Sequence, residues 1–302
     1  MKRFSLAFAA AAGVLSMLSA GSALAQDVLI RGAEIHTLSS QGTMTNADVL
    51  VRGGKIERVA RDLAAPAGVT VVEAKGRPLT PGLFGGLSAI GVDEVSLERA
   101  TIDSGLSVGA EQLKDAQWRP EFDVTLAYNP HSVLVPVARI EGLTWTVLAP
   151  NSVKGGSFVA GQGAAVVLDG RYDALLEGSR SLFVTLRSGG KTSPGGSRAA
   201  QYMLFEQAIQ EARATPAERF RALLLPAGRE AIARYLAGGR VVLAVDRAAD
   251  IRRAVAFARA AGMKPVVAGG AEAWMVADEL ARADVPVLLD PLDNLPDDFD
   301  SL

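Results

Sequence analysis

Three short apolar runs follow one another near the end of the chain: Val241-Val-Leu-Ala-Val-Asp246, Pro265-Val-Val-Ala-Gly269 and Val285-Pro-Val-Leu-Leu-Asp290. Each is almost entirely apolar, which is typical of a strand buried on both faces of a sheet. The segments between them, Ala248 to Ala261 and Glu272 to Ala283, have helical periodicity. Strands that alternate with helices in this way predict an α/β fold with parallel strands and helical crossovers.

The same alternation extends toward the N-terminus. Arg198 to Arg213 predicts an amphipathic helix, and the capping box Thr215-Pro-Ala-Glu218 predicts the start of another that ends at Gly238-Gly239. Ser132 to Glu141 predicts a helix that leads into a strand from Thr144 to Ala149. Further upstream, the pattern of the chain changes.

Residues 1–25 have the features of a secretory signal peptide. Lys2 and Arg3 precede an apolar run from Leu6 to Leu18, and Ala23-Leu-Ala25 is a small-x-small cleavage site before Gln26. The apolar run is too short to span a bilayer, and no later segment is long and apolar enough to do so. We therefore expect an exported, periplasmic protein without a membrane span.

Residues 26–80 predict a small N-terminal β-sandwich domain, and residues 81–302 predict the larger α/β domain. Short Val- and Ile-rich runs mark the strands of the small domain, and Gly53-Gly54 is suited to a hairpin turn between two of them. These runs are Val28 to Ile35, Ala47 to Val51, Lys55 to Val59 and Val69 to Glu73. Within the larger domain, the segments 92–128 and 154–197 are rich in Gly, Ser and Asp, and we predict them to be insertions or long loops.

Composition excludes several classes of protein. The 302 residues include no Cys, which rules out disulfides, thiolate metal sites and a cysteine nucleophile. The 31 Lys and Arg residues nearly balance the 33 Asp and Glu residues without forming a basic block, so no nucleic-acid partner is expected.

Five motifs are spread over most of the chain: Asp48-Val-Leu-Val-Arg-Gly-Gly-Lys-Ile56, Pro81-Gly-Leu-Phe84, Asn129-Pro130, Arg139-Ile-Glu-Gly-Leu-Thr144 and Gly196-Ser-Arg-Ala-Ala200. Together they resemble the amidohydrolase superfamily, in particular its exported imidazolonepropionase-like and prolidase-like members. The resemblance implies a (β/α)8 TIM barrel that carries the small β-sandwich domain. It also implies hydrolysis of a C–N bond, in a dipeptide or a non-peptide amide, by hydroxide formed on a divalent metal such as zinc.

The chain departs from the family where the metal would bind. After the Pro-Gly-Leu-Phe strand, active relatives carry Asp-x-His-x-His, whereas this chain has Gly85, Leu87 and Ala89. Neither Leu nor Ala can donate a lone pair, and His36 and His131 are the only histidines. We therefore predict no zinc site and no other cofactor.

The carboxyl ends of parallel strands usually carry the chemistry of such folds. Asp246 and Asp290 end two of the predicted strands, and we predict that they bind substrate. An all-oxygen Mg²⁺ or Ca²⁺ site that adds Glu272 is an alternative. No catalytic residue is predicted.

The sequence supplies at most five or six predicted barrel strands before Leu302, where a closed barrel needs eight. An incomplete barrel predicts open sheet edges, and hence either a truncated product or self-association through the open barrel. Three functions stay open at this point. They are a C–N hydrolase, a non-catalytic exported protein that binds a small molecule or peptide, and a truncated product without a function of its own.

Overall fold

The computed structural model describes residues 27–106, 118–152, 157–187, 197–214 and 222–290. Contacts between Cα atoms divide the chain into two compact units, with the division between Pro81 and Gly82. The predicted signal peptide and the capping box at 215–218 lie outside the described residues.

The N-terminal unit contains five strands: β1 Val28–His36, β2 Thr43–Arg52, β3 Lys55–Ala60, β4 Thr70–Glu73 and β5 Pro78–Leu79. They form one sheet in the order β3-β2-β1-β4, with β5 also paired to β1. Strand β1 is antiparallel to β2 and parallel to β4 and β5. The apolar side chains of the sheet pack in a small cluster that includes Ala33, Ile35 and Val49. A separate sheet domain at the N-terminus is thus confirmed.

The second unit alternates strands with helices, as the sequence predicts. Its strands are β6 Leu83–Ser88, β7 Leu143–Leu148, β8 Val159–Val167, β9 Ser181–Thr185, β10 Arg240–Val245, β11 Lys264–Gly269 and β12 Val287–Leu289. Its helices are α1 Leu134–Ile140, α2 Arg198–Arg213, α3 Pro226–Leu236, α4 Ala248–Ala261 and α5 Ala277–Arg282. Short 3-10 turns cover Arg99–Thr101, Val124–Ala127 and Ala273–Val276.

These seven strands form one sheet in chain order from β6 to β12. Neighbouring strands are parallel except β8, which is antiparallel to both β7 and β9. The sheet curves strongly, since Leu87 of the first strand and Leu288 of the last pack against the same buried cluster around Phe183 and Val242. A curved, barrel-like sheet with helical connections and a separate N-terminal sheet agree with the predicted α/β fold of an incomplete barrel and a small N-terminal β domain.

Strands β8 and β9 lie inside the segment 154–197, for which the sequence predicts insertions or loops. For β8, two glycines within the strand explain the difference. A Cβ on Gly163 would lie 1.9 Å from the Leu148 carbonyl oxygen, and one on Gly161 would lie 2.5 Å from the Phe122 carbonyl oxygen. Glycine is required here because neighbouring backbone approaches the strand closely, not because the segment is a loop. With these two strands, the part of the sheet that the structure describes has seven strands where the sequence predicts five or six.

The outer face of this sheet packs against the helices. Phe205 of α2, Ile232 of α3 and Ile251 of α4 are almost fully buried against the sheet together with Leu243 of β10. Helices α2 and α4 have the bounds that the sequence predicts, and Gly262 ends α4 with φ of +94°. The predicted helix from Glu272 to Ala283 is instead a 3-10 turn followed by the short helix α5.

The two end strands of the sheet, β6 and β12, pair with each other nowhere in the described ranges. Self-association through this opening stays a prediction. None of the helices that the structure describes combines the length and the apolar character that a bilayer crossing requires.

Candidate functional site

An open cavity of about 840 Å³ lies on the inner face of the barrel-like sheet. Its deeper wall is apolar and includes Phe84, Leu87, Phe183, Val242 and Leu288. Its outer wall is polar and lies at the carboxyl ends of the parallel strands. The polar lining residues there are Ser88, Asn151, Ser152, Thr185, Arg187 and Asp290. The cavity therefore combines an apolar body with a polar mouth.

Small residues leave this space inside the sheet. In a closed TIM barrel, layers of bulky branched side chains fill the interior. Here seven of the lining residues are Gly or Ala: Gly85, Gly86, Ala89, Ala149, Ala244, Ala268 and Gly269. Side chains of this size cannot fill the interior, so the inner face stays hollow where a structural barrel would be packed.

Arg187 and Asp246 form an ion pair at the mouth of the cavity. The guanidinium Nε lies 2.7 Å from Asp246 Oδ2, and Nη2 donates to Oδ1 over 3.3 Å. The Asp246 side chain is only 9% exposed, and Arg187 lines the cavity. Burial raises the pKa of the Asp246 carboxyl, while Arg187 and the backbone N–H groups of Ala271 and Gly270 act in the opposite direction. The buried Asp246 carboxylate thus fixes the position of the Arg187 guanidinium.

Gly269 makes room for this ion pair. It lies on β11, next to the strand that ends at Asp246, and has φ of +83°. A Cβ at this position would lie 2.2 Å from Arg187 Nη2 and 2.5 Å from Asp246 Oδ1. Any larger side chain would therefore displace the guanidinium from its carboxylate.

A hydrogen-bonded chain holds Asn151 in the polar wall. Its Nδ2 donates to Ser104 Oγ over 2.9 Å, and Ser104 Oγ donates to Asp93 Oδ2 over 2.6 Å. Beside it, Ser152 Oγ and Thr185 Oγ1 lie 2.9 Å apart. These bonds orient amide and hydroxyl groups toward one side of the cavity before any ligand binds.

The structure separates the three carboxylates that the sequence places at or near the strand ends. Asp246 is paired with Arg187, and Asp290 lines the cavity from the end of β12. Glu272 instead accepts a hydrogen bond from the backbone N–H of Ala248 over 2.7 Å and caps helix α4. No three His, Asp or Glu side chains in the described parts of the chain are grouped to hold a metal, so the alternative all-oxygen site is not formed by these residues.

Arg187 is the site residue that the sequence analysis missed. It lies in the segment predicted as a loop, yet the run Leu182-Phe-Val-Thr-Leu-Arg187 has the same pattern as the runs that end at Asp246 and Asp290. The signal that could have identified Arg187 is an apolar strand that ends in a charged residue.

The residues present do not fit the metal centre that the resemblance implies. Leu87 packs with the apolar inner cluster, and Ala89 packs against the cluster around Val124 and Leu148. His36 lies in the N-terminal unit, where its Nδ1 is 3.0 Å from Thr43 Oγ1, and His131 stacks edge-on against Tyr172. Gly85, Leu87 and Ala89 carry no donor atom, so a metal bound there would lack its imidazole ligands.

A solved structure is similar to this chain over most of its length. The crystal structure of an amidohydrolase from Thermotoga maritima MSB8 matches with a TM-score of 0.73 over 91% of this chain and 72% of that chain, at 20% identity. This chain has the amidohydrolase fold. That result confirms the fold implied by the five sequence motifs.

A second solved structure is more distant. The L-hydantoinase (dihydropyrimidinase) from Arthrobacter aurescens has a TM-score of 0.39 and 14% identity, over 87% of this chain and 57% of that one. No protein-family profile matches the chain, and no curated protein sequence does. In the amidohydrolase fold, the cavity described above lies at the end of the barrel where active sites of barrel enzymes are found.

Proposed function

We propose that this chain is an amidohydrolase-superfamily protein that binds a small organic molecule in the cavity of its barrel, without the metal centre of active relatives. The observation that carries the proposal is the cavity itself. It is hollow, of ligand size and lined by apolar side chains on its deeper wall and by converging polar groups at its mouth, a combination found in small-molecule sites.

The positions of Leu87 and Ala89 favour binding over metal-dependent hydrolysis. Both residues line the cavity where the resemblance implies two imidazoles. Leu87 instead extends the apolar wall, so it contributes contact area to a ligand rather than a metal ligand.

Hydrolysis of a C–N bond is the second candidate, and the amidohydrolase fold favours it. Asp290 lines the cavity, and a carboxylate in that position could take a proton from an attacking water. This candidate requires catalysis by carboxylates in place of a metal-bound hydroxide.

One set of titrations tests both candidates. Ligand-observed NMR with a panel of small amides, ureas, carboxylic acids and dipeptides should detect ligands of the purified chain. Ala244→Phe fills the cavity and should abolish their binding, while Ala256→Phe, on the exposed face of α4, should leave it unchanged. Binding that is equal in both variants would contradict the proposal. Cleavage of an amide in the same samples, lost in Asp290→Asn, would favour the second candidate.

We also propose that the protein is exported to the periplasm. The charged start at Lys2 and Arg3, the apolar run and the small residues at Ala23 and Ala25 support this proposal.

A further inference from the structure

We propose that the ligand of this cavity is an amphipathic carboxylic acid, with its carboxylate at Arg187 and its apolar chain along the inner face of the sheet. The inference rests on the proposed small-molecule binding function and adds the chemical class of the ligand.

The apolar half of the site is suited to bind the apolar chain of the ligand. Phe183 and Val242 lie in the middle of their strands, Phe84 is the second residue of β6, and all three line the cavity. Phe183 precedes Arg187 by four residues, which at the rise of an extended strand is roughly 13 Å. A ligand that spans this depth must bury an apolar chain, because the lining there consists of Phe, Leu, Val, Ala and Gly side chains.

The polar half of the site is suited to bind the carboxylate of the ligand. Arg187 is held from behind by Asp246, and its backbone carbonyl accepts a hydrogen bond from the buried Gln201 side chain over 3.4 Å. A guanidinium fork fits a carboxylate, and a guanidinium that is already positioned loses little side-chain entropy when a ligand binds. Thr185 and Ser152 add hydroxyl groups beside it.

The arrangement of charges favours a single carboxylate at this end. Asp246 is buried behind Arg187 and is not among the lining residues that the structure describes, whereas Arg187 is. The other charged residue among those lining residues, Asp290, follows β12, three strands away from β9 in the sheet. Measured along the sheet this separation is roughly 14 Å, and the curvature of the sheet makes the direct separation shorter.

The test compares three probes that differ in one feature each: octanoate, the neutral octanamide, and acetate, which lacks the chain. Calorimetric titration of the full chain should show octanoate binding about tenfold or more tightly than octanamide, because a hydrogen bond to a charged partner is stronger than one to a neutral group. Acetate should show no measurable binding, since it buries no chain.

Two variants locate the carboxylate. The double variant Arg187→Gln/Asp246→Asn removes both charges of the pair without leaving either one buried alone, and it should bind octanoate and octanamide equally. If that variant does not fold, Arg187→Lys replaces it, and its preference for octanoate should fall several-fold because the fork is lost. Arg252→Gln, at an exposed arginine of α4, should keep the full preference.

Equal binding of octanoate and octanamide by the unaltered protein would overturn the inference, as would a preference that survives in the double variant. If octanamide then still binds in a manner sensitive to Ala244→Phe, the proposed binding function stands and only the ligand class is wrong. If neither chain-bearing probe binds, the inference is overturned, and the wider ligand panel decides the proposed function separately.

Discussion

Arg187 and Asp246 lie side by side at the ends of two adjacent parallel strands, with 2.7 Å between Nε and Oδ2. Their pairing follows from the register of the sheet. Thr185 of β9 pairs with Ala244 of β10, so the residues two positions further along each strand meet at the carboxyl edge. A positive side chain is thereby fixed at the mouth of the cavity by a buried negative one.

The first prediction concerns the glycine that accommodates this pair. Gly269→Ala should lower the free energy of unfolding by roughly 1–3 kcal/mol more than the backbone penalty alone, because the guanidinium must leave a buried carboxylate. Gly170→Ala is the matched control, since Gly170 has φ of +84° against +83° for Gly269 but nothing within 4 Å of its would-be Cβ. Urea denaturation of the two variants measures the difference. Equal losses of stability would show that the ion pair does not depend on Gly269.

The second prediction compares two tyrosines whose hydroxyl groups are buried. Tyr235 donates a hydrogen bond to Gln162 Oε1 over 3.0 Å, whereas the buried Tyr202 hydroxyl has no hydrogen-bond partner among the described residues. Tyr235→Phe should therefore destabilise the protein by roughly 1–2 kcal/mol, because it leaves a buried amide oxygen without its donor. Tyr202→Phe should be neutral or slightly stabilising, because the buried Tyr202 hydroxyl has lost its hydration without gaining a hydrogen bond from a described residue. Thermal and urea denaturation distinguish the two, and equal effects would contradict the hydrogen-bond assignment.

The third prediction is a loss of stability at alkaline pH. Burial raises the pKa of Tyr202 and of Tyr235 to about 12, from 10.0 for an unperturbed tyrosine. A raised pKa in the folded state means that stability is full below pH 10 and is lost as the pH rises toward 12, since the unfolded chain releases these protons first. The free energy of unfolding measured between pH 9 and 12 should fall less steeply in the double variant Tyr202→Phe/Tyr235→Phe. An unchanged slope would exclude these two phenols as its source.

The fourth prediction is that the purified chain keeps no stoichiometric zinc. Leu87 and Ala89 cannot replace imidazole ligands, and a zinc site with fewer protein ligands binds weakly. Metal analysis after dialysis against zinc-containing and then zinc-free buffer provides the measurement. About one zinc ion or more per chain after dialysis would refute the prediction.

The fifth prediction concerns export. The mature protein should begin at Gln26, because small residues occupy both recognition positions, Ala23 and Ala25. N-terminal sequencing of protein from a periplasmic extract checks this. Ala23→Phe should block cleavage, and Ala20→Phe, outside the two recognition positions, serves as the control. A mature chain that begins at Met1 would show that the segment is retained.

Local sequence was sufficient for much of the secondary structure. Helix α4 has the predicted bounds Ala248–Ala261 because its apolar residues recur at the helical period and Gly262 supplies the left-handed residue that ends it. Strands β10 and β11 were predicted to within one residue at each end. In contrast, the sequence did not predict β8. Gly161 and Gly163 are typical of a loop, and only the structure shows the backbone that approaches them closely.

The sequence by itself also determined what the site lacks. The 302 residues include two histidines and no cysteine, and they carry Gly85, Leu87 and Ala89 at the implied ligand positions, so these three positions supply no imidazole ligand whatever the folded geometry. It placed Asp246 and Asp290 at strand ends, because an apolar run that stops at a charge marks the point where a buried strand reaches solvent.

Only the tertiary structure decided which partners the residues at those strand ends have. Arg187 and Asp246 are 59 positions apart along the chain, and their contact depends on the register between β9 and β10. The same holds for the cavity, which exists because small residues from several strands face one another across a curved sheet. Periodicity is a local property of the chain and predicts helices and strands, whereas partners across a sheet are set by pairing between distant segments and cannot be read from either segment alone.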